Sequence, residues 1–429
     1  MIEGIMKEFQ LTYGSSTLPV TVEDDHLLWY LEPGKTDPIE DIGGKLRELL
    51  NDPVGSPPLA ELLSPKDQVV IVVDDLTRPT PQEEILPPLV EVFNSSGISN
   101  DRITIVIALG THRYMTDQEI DKRFGDMISE EITIENSPWK DPDQFRYVDD
   151  TSSGTPVHIY SKLLEADLVI GVGCIEPHVH AGWSGGSKII QPGVSSWETT
   201  AATHLIAPKS PQLFEIAGTA DNVFRKEIDA IAELANLQFI VNVVVGADYR
   251  ISDIFAGDPV EAHRTGVRQA RTILEGRVEE RANIAVVSAS PAEIDYWQGG
   301  KAVFLAQKGL KEGGVTILAG EFPEGVSPSH PDFEKYARKS YRSLDRMIES
   351  GTISDRVCGG ALLMHSRLLE RTKVICVSKG LSSKNARSLG FESTDSLADA
   401  LDWAYRHTEG EPKVGVIDHG GMVVPSCPT

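Results

Sequence analysis

The chain has 429 residues, 40% hydrophobic and 24% charged, with a formal net charge of −24. That length predicts two domains at roughly 100–200 residues each, and the acidic surface argues against nucleic acid or anionic membranes as partners. Four scattered cysteines (Cys174, Cys358, Cys376, Cys427) form no CxxC pair. They predict neither a disulfide framework nor a structural zinc site, and a reducing compartment. No secretory leader pattern opens the sequence and no run of about 18 apolar residues occurs, so the protein is expected to be cytoplasmic.

The predicted elements begin with a hairpin. Phe9–Tyr13 and Leu18–Val22 alternate as strands do, through Gly14-Ser15-Ser16. Gln68–Val73 is a near-continuous apolar run, the mark of a parallel strand buried on both faces. It ends at Asp74-Asp75-Leu76-Thr77-Arg78-Pro79, and a helix is predicted over about 82–93. Ile103–Leu109 is a second buried strand, ending at Gly110-Thr111-His112-Arg113. Asp167–Gly173 is a third and leads into Pro177-His178-Val179-His180-Ala181-Gly182-Trp183-Ser184-Gly185-Gly186-Ser187-Lys188. Ser195-Ser196-Trp197-Glu198 reads as a helix start with a capping box, which places His204 more than two turns in.

A second α/β unit starts near Ala282, after a helical, charged segment over 262–280. Its strands are Ile284–Ser288, Val315–Ala319, Val374–Val377 and Val414–Ile417. A glycine-bearing turn, Trp297-Gln298-Gly299-Gly300-Lys301, is expected to precede a helix reaching about Leu310. The predicted fold is two α/β domains with mostly parallel sheets and an active-site cleft between them. Residues 1–277 would form the first domain and 278–412 the second, with 413–429 a terminal strand and tail of unassigned membership.

Polar residues follow three buried strands at their carboxyl ends, the edge where open α/β sheets bind ligands. This topology brings Asp75, Arg78, His112 and His178 toward one pocket. Around Ser184, Gly185 and Gly186, glycines let backbone approach a ligand and offer N–H groups to an anion. Lys188 there is a phosphate contact, a base or a covalent attachment point. Histidines serve as acid–base groups or metal ligands. Arg78 can clamp a carboxylate, or form a structural pair with Asp75. Gln298 and Lys301 can close over a substrate from the second domain, or belong to an ordinary helix N-terminus. His180, Trp183 and Trp297 are candidate pocket linings. His26, His158, His263, His330, His365, His407 and His419 read as surface or structural, and Cys174 as buried packing.

Taken together, Asp74–Pro79, Gly110–Arg113, Pro177–Lys188, His204 and Gln298–Lys301 resemble, in order and spacing, the nickel-dependent lactate racemase family. The resemblance spans most of the chain. It implies a nickel-pincer nucleotide, a pyridinium mononucleotide with two sulfur-containing arms, attached to Lys188 and loaded by dedicated maturation enzymes. It implies His204 as a nickel ligand, His112 and His178 as acid–base residues, Arg78, Gln298 and Lys301 as substrate contacts, and Asp75 near the cofactor. The implied reaction inverts C2 of a small 2-hydroxy acid by proton-coupled hydride transfer. The sequence departs from the pattern in two places. Trp297 stands where a smaller aromatic is expected, and Ser378-Lys379-Gly380 where the second domain would supply an aromatic. Substrate identity therefore stays open, and a homo-oligomer is allowed. Two other readings are a nicotinamide-dependent 2-hydroxy acid dehydrogenase and a non-enzymatic small-anion-binding protein. The first lacks a GxGxxG turn with an acidic residue about 20 positions on. The second sits poorly with the clustered histidines.

Overall fold

The computed structural model describes residues 5–125 and 130–427. The long apolar runs become the centre of a six-stranded sheet, in the order Ile251–Gly257, Phe239–Val245, Leu168–Cys174, Val69–Asp74, Ile103–Ala108, Thr133–Asn136. Val69–Asp74, Leu168–Cys174 and Phe239–Val245 are buried along their whole length. Such strands need apolar side chains on both faces, because layers pack on both sides. All neighbours are parallel except Ile251–Gly257, which pairs antiparallel on one edge. Parallel strands end on one side, so the segments after Asp74, Ala108 and Cys174 gather there.

The second sheet also has six strands, in the order Glu392–Thr394, Lys373–Val377, Leu310–Ala319, Ala282–Ser288, Val414–Ile417, Leu27–Leu31. All its pairings are parallel. The two α/β units and their mostly parallel sheets are as expected. The division of the chain between them is not. Leu27–Leu31 is the second sheet's edge strand, and the hairpin Met6–Tyr13/Ser16–Glu23 packs Leu11, Val20 and Val22 against that sheet and the helix Leu397–His407. The boundary drawn at 1–277 therefore fails at its start. A short strand cannot reveal its partner from local pattern, because pairing is a long-range choice. Val414–Ile417 lies inside the second sheet, and Val424–Ser426 pairs with Glu275–Arg277.

A single apolar cluster runs through both units, joining Ile71, Val73 and Val172 to Val287, Leu318 and Leu362. Burying each such side chain contributes about 1.5–3 kcal/mol, so this shared core resists separation of the units. No helix among the described residues is long and apolar enough to cross a membrane.

Candidate active site

A cavity of about 180 Å³ opens where the carboxyl ends of the first sheet face two helices of the second unit. Asp75, Arg78, His112, His178, Ser184, Gly185, Lys188, His204, Trp297, Gln298 and Lys301 all line it. His180 and Cys174 line it as well. Trp183 does not, because it is fully buried in the core. Gly186 turns away: its N–H donates to Asn242 Oδ1 at 2.7 Å, and a side chain there would strike His263.

His112 is held on both ring nitrogens. Nδ1 lies 2.7 Å from Asp75 Oδ2, which places the proton on Nδ1 and leaves a lone pair on Nε2. The Gln298 amide donates to that Nε2 at 2.9 Å. Trp139 Nε1 donates to the His112 carbonyl at 2.7 Å and fixes the backbone. Burial opposes the charge of Asp75, but His112, Arg78 and the Thr77 hydroxyl outweigh it, and the carboxyl lies well below its usual range. Asp75 is therefore ionised, a fixed counter-charge for His112.

His178 rests in the opposite tautomer. Its Nδ1 accepts from the N–H groups of His180 and Ala181, both at 3.2 Å, so its neutral ring carries the proton on Nε2. Burial, then the neighbouring Lys188 and Arg78 charges, push its pKa well down. His178 and Gly182 are cross-strand partners in a tight two-strand turn. Gly182 has φ +76°, and a Cβ there would meet the Thr219 carbonyl at 1.8 Å. Only glycine closes this turn.

Lys188 enters the cavity from a short 3₁₀ turn, Gly186–Ile189, after Gly185 at φ +76°. Ser184 braces the approach: its hydroxyl donates to the Cys174 carbonyl and accepts from Glu176 N–H, so it has no hydrogen to spare for a ligand. Among the described residues the Lys188 amine has no hydrogen-bond or ion-pair partner. Enclosure by protein, with the Arg78 and Arg225 charges near, lowers its pKa to about 7. A neutral, nucleophilic amine is thereby within reach near neutral pH.

His204 is the last residue of the helix Trp197–His204, which Ser196 caps by accepting from Thr199 N–H. The expected capping-box partner is absent, because the third helical residue is Thr199. His204 Nδ1 donates to the Thr200 carbonyl at 2.9 Å, leaving Nε2 as a bare donor atom. That is the second contact that orients a metal-binding histidine. Burial lowers its pKa to about 4, which keeps Nε2 unprotonated.

The second unit contributes one helix differently from expectation. Trp297–Lys301 is not a turn before a helix but the first two turns of the helix Tyr296–Ala306 itself, capped by Asp295, whose side chain accepts from Gln298 N–H. The two glycines signalled a turn, yet they serve close packing: a Cβ on Gly299 would meet the Phe322 ring at 2.2 Å. This helix aims Gln298 and Lys301 at the cavity. Ser378-Lys379-Gly380 lies elsewhere, bonded to Glu321 and Tyr13.

Sequence reading missed Glu176. Glu176 is buried, with Oε1 at 2.7 Å from Lys301 Nζ and 3.5 Å from Arg78 Nε. Its signal was a carboxylate two residues before His178, on the way out of a buried strand. His330 was set aside as surface or structural. It is buried, stacks on Trp297 at 4.2 Å, and bonds Asp355 at 2.7 Å and Thr111 at 3.2 Å. His263 and His365 are buried structural groups, although His365 also reaches the cavity wall.

A known family, described as the lactate racemase N-terminal domain, matches residues 13–214. A lactate racemase of Lactiplantibacillus plantarum is 30% identical over 390 residues, which is 87% of this chain and 89% of that protein. A lactate racemase of Thermoanaerobacterium thermosaccharolyticum is 27% identical over 444 residues, covering 98% and 99%. The solved lactate racemase apoprotein from the same organism superposes with a TM-score of 0.86 at 27% identity, over 98% of this chain and all of that one. A Thermotoga maritima protein of solved structure shares the fold, with a TM-score of 0.69 at 18% identity. The chain is an isomerase of the racemase type, and it belongs to the lactate racemase family.

Proposed function

We propose that this enzyme inverts C2 of a small 2-hydroxy acid by using a nickel-pincer nucleotide tethered to Lys188. One observation carries the reading: a partnerless amine with a pKa of about 7 shares a cavity with a histidine whose Nε2 is bare and with two further histidines. The residues fit the group. Lys188 would form the covalent link, and His204 Nε2 would supply one nickel ligand. Among the described residues no cluster of three His, Cys, Asp or Glu side chains is placed to hold a metal ion. The remaining donors would come from the cofactor, and a planar set with soft sulfur suits Ni(II). When bound, the group supplies a reversible hydride acceptor.

The protein's own residues do the rest. Arg78 and Lys301 bind the substrate carboxylate. His112 takes the hydroxyl proton on Nε2, and Asp75 neutralises the ring charge that results. Gln298 now contacts that Nε2 and would move onto the substrate oxygen. His178 offers its Nε2–H to the oxygen from a second position. To serve as the base for the opposite enantiomer, His178 must carry its ring proton on Nδ1 instead, giving up its present contacts with the His180 and Ala181 N–H groups. Loss of hydride rather than a C2 proton avoids a second negative charge beside the carboxylate. Contact between the two units keeps water from the planar keto acid.

The test is intact mass with nickel analysis on protein co-expressed with cofactor-maturation enzymes, followed by a racemisation assay. Added mass on Lys188, about one nickel per chain as a single tethered group requires, and inversion of a 2-hydroxy acid are expected. An unmodified Lys188, when a control family member is loaded in the same cells, would sink the cofactor assignment.

A further inference from the structure

We propose that the substrate is a 2-hydroxy monocarboxylic acid whose side chain is apolar and larger than methyl. Glu176 excludes a second carboxylate, and the wall around Ala361 accepts the side chain. The proposal rests on the reading of the site as a 2-hydroxy acid racemase and narrows it.

The first argument is charge. Glu176, with 4% of its side chain exposed, touches both cations that would bind a carboxylate, Arg78 and Lys301. Two positive groups sharing one buried carboxylate leave a single positive charge for the ligand. Asp75 is a further buried carboxylate on the same edge, engaged with His112. Asp74 is already matched by Arg123. Among the described residues the only other lysine or arginine of the cavity wall is Lys188, which loses its charge when acylated. A dicarboxylate would bury its second charge among carboxylates with no cation left to meet it, which is strongly unfavourable.

The second argument is the far wall. Phe304 stands one turn beyond Lys301 on the same helix, and Ala361 and Met364 face the cavity from the helix Arg356–Arg371. The polar hydrogens of this wall are spent. Tyr296 Oη pairs with His365 Nδ1 at 3.2 Å, and His365 Nε2 donates to the Leu389 carbonyl at 2.8 Å. A polar substrate side chain would find only the Tyr296 oxygen lone pairs there, and a buried polar group without enough partners is costly. Ala361 follows Gly360, whose Cα packs against the backbone of His204. Among Phe304, Ala361 and Met364, Ala361 carries the smallest side chain, so the wall is least filled there.

The test is kcat/KM of the cofactor-loaded enzyme for lactate, 2-hydroxybutyrate, 2-hydroxyisocaproate and malate. The two larger apolar acids should exceed lactate by roughly 10-fold or more, the gain typical of added methylenes in an apolar pocket. Malate should be the poorest. Ala361→Phe should move the preference toward lactate, and Glu176→Gln should raise malate relative to 2-hydroxyisocaproate. Calorimetry on the unloaded chain should show 4-methyl-2-oxopentanoate binding more tightly than oxaloacetate. Lactate or malate as the best substrate of the unsubstituted enzyme, or tighter oxaloacetate binding, would overturn the proposal while leaving the racemase reading in place. Inversion of none of the four acids by loaded enzyme would overturn that reading, and this preference with it.

Discussion

Gln298 Nε2 stands 2.9 Å from His112 Nε2, and the two residues come from different α/β units, one from the helix Tyr296–Ala306 and one from the loop after Ile103–Ala108. The hydrogen bond crosses the cleft and ends on the atom best placed to take a proton. The contact between the two units therefore occupies the acceptor atom of the base. Substrate must displace this amide, or share it, before His112 can act.

Asp75→Asn should leave the fold and cofactor loading intact and cut turnover. The asparagine can offer N–H to Nδ1 and favour the wrong tautomer, with a loss on the order of 10²–10⁴-fold. The measurement is kcat together with nickel content. Unchanged turnover at full loading would remove Asp75 from the positioning of His112.

Lys188 predicts a distinctive pH dependence. Its folded pKa is depressed to about 7, against an ordinary lysine value of 10.5. Between these limits the unfolded chain binds the extra proton, so the unloaded protein gains stability as pH rises from about 7 to 10. Below pH 7 both states are protonated and the penalty of the buried charge is complete. Lys188→Met should therefore stabilise unloaded protein at neutral pH, by up to a few kcal/mol at 1.36 kcal/mol per unit of pKa. Denaturant unfolding at pH 7 and pH 10 checks this. The difference between the two proteins must shrink at the higher pH.

His204→Ala and Lys188→Ala should separate metal from tether. The first keeps covalent mass on Lys188 and loses nickel on dialysis. The second loses both, with the fold retained. Equal nickel retention in His204→Ala and the unsubstituted protein would rule out His204 as a ligand.

Lys301→Met removes one cation from Glu176 and leaves the other at 3.5 Å. Breaking a buried pair costs about 3–5 kcal/mol when no partner remains, so a smaller loss is expected here. The double change Lys301→Met with Glu176→Gln should recover most of it while activity stays low. A double-mutant cycle in urea reads the coupling, and additivity would mean that the pair contributes nothing.

Local pattern and long-range pairing were not equally legible. Val69–Asp74, Ile103–Ala108 and Leu168–Cys174 were plain from their apolar runs, and parallel topology then carried His112 and His178 to one edge. Leu27–Leu31 was misassigned because its partner, Val414–Ile417, lies far along the chain. Trp297–Lys301 was misread because Gly299 and Gly300 looked like chain reversal, whereas they let a helix approach Phe322. Trp183, a candidate for either the pocket or the packing, belongs to the packing, fully buried in the core. Glu176 and His330 belong to no local pattern. Glu176 gains its role from Arg78 and Lys301, each more than 90 positions away, and His330 from Thr111 together with the nearer Asp355 and Trp297.

The placement of Leu27–Leu31 has a consequence for how the protein is made. The last strand of the first sheet ends at Gly257, so that unit can assemble while the remainder is still being translated. The second sheet must hold its earliest strand unpaired until Val414–Ile417 emerges from the ribosome. The Lys188 loop thus takes shape on a nascent chain whose opposite wall does not yet exist. Any enzyme that must reach that lysine meets it most openly during synthesis.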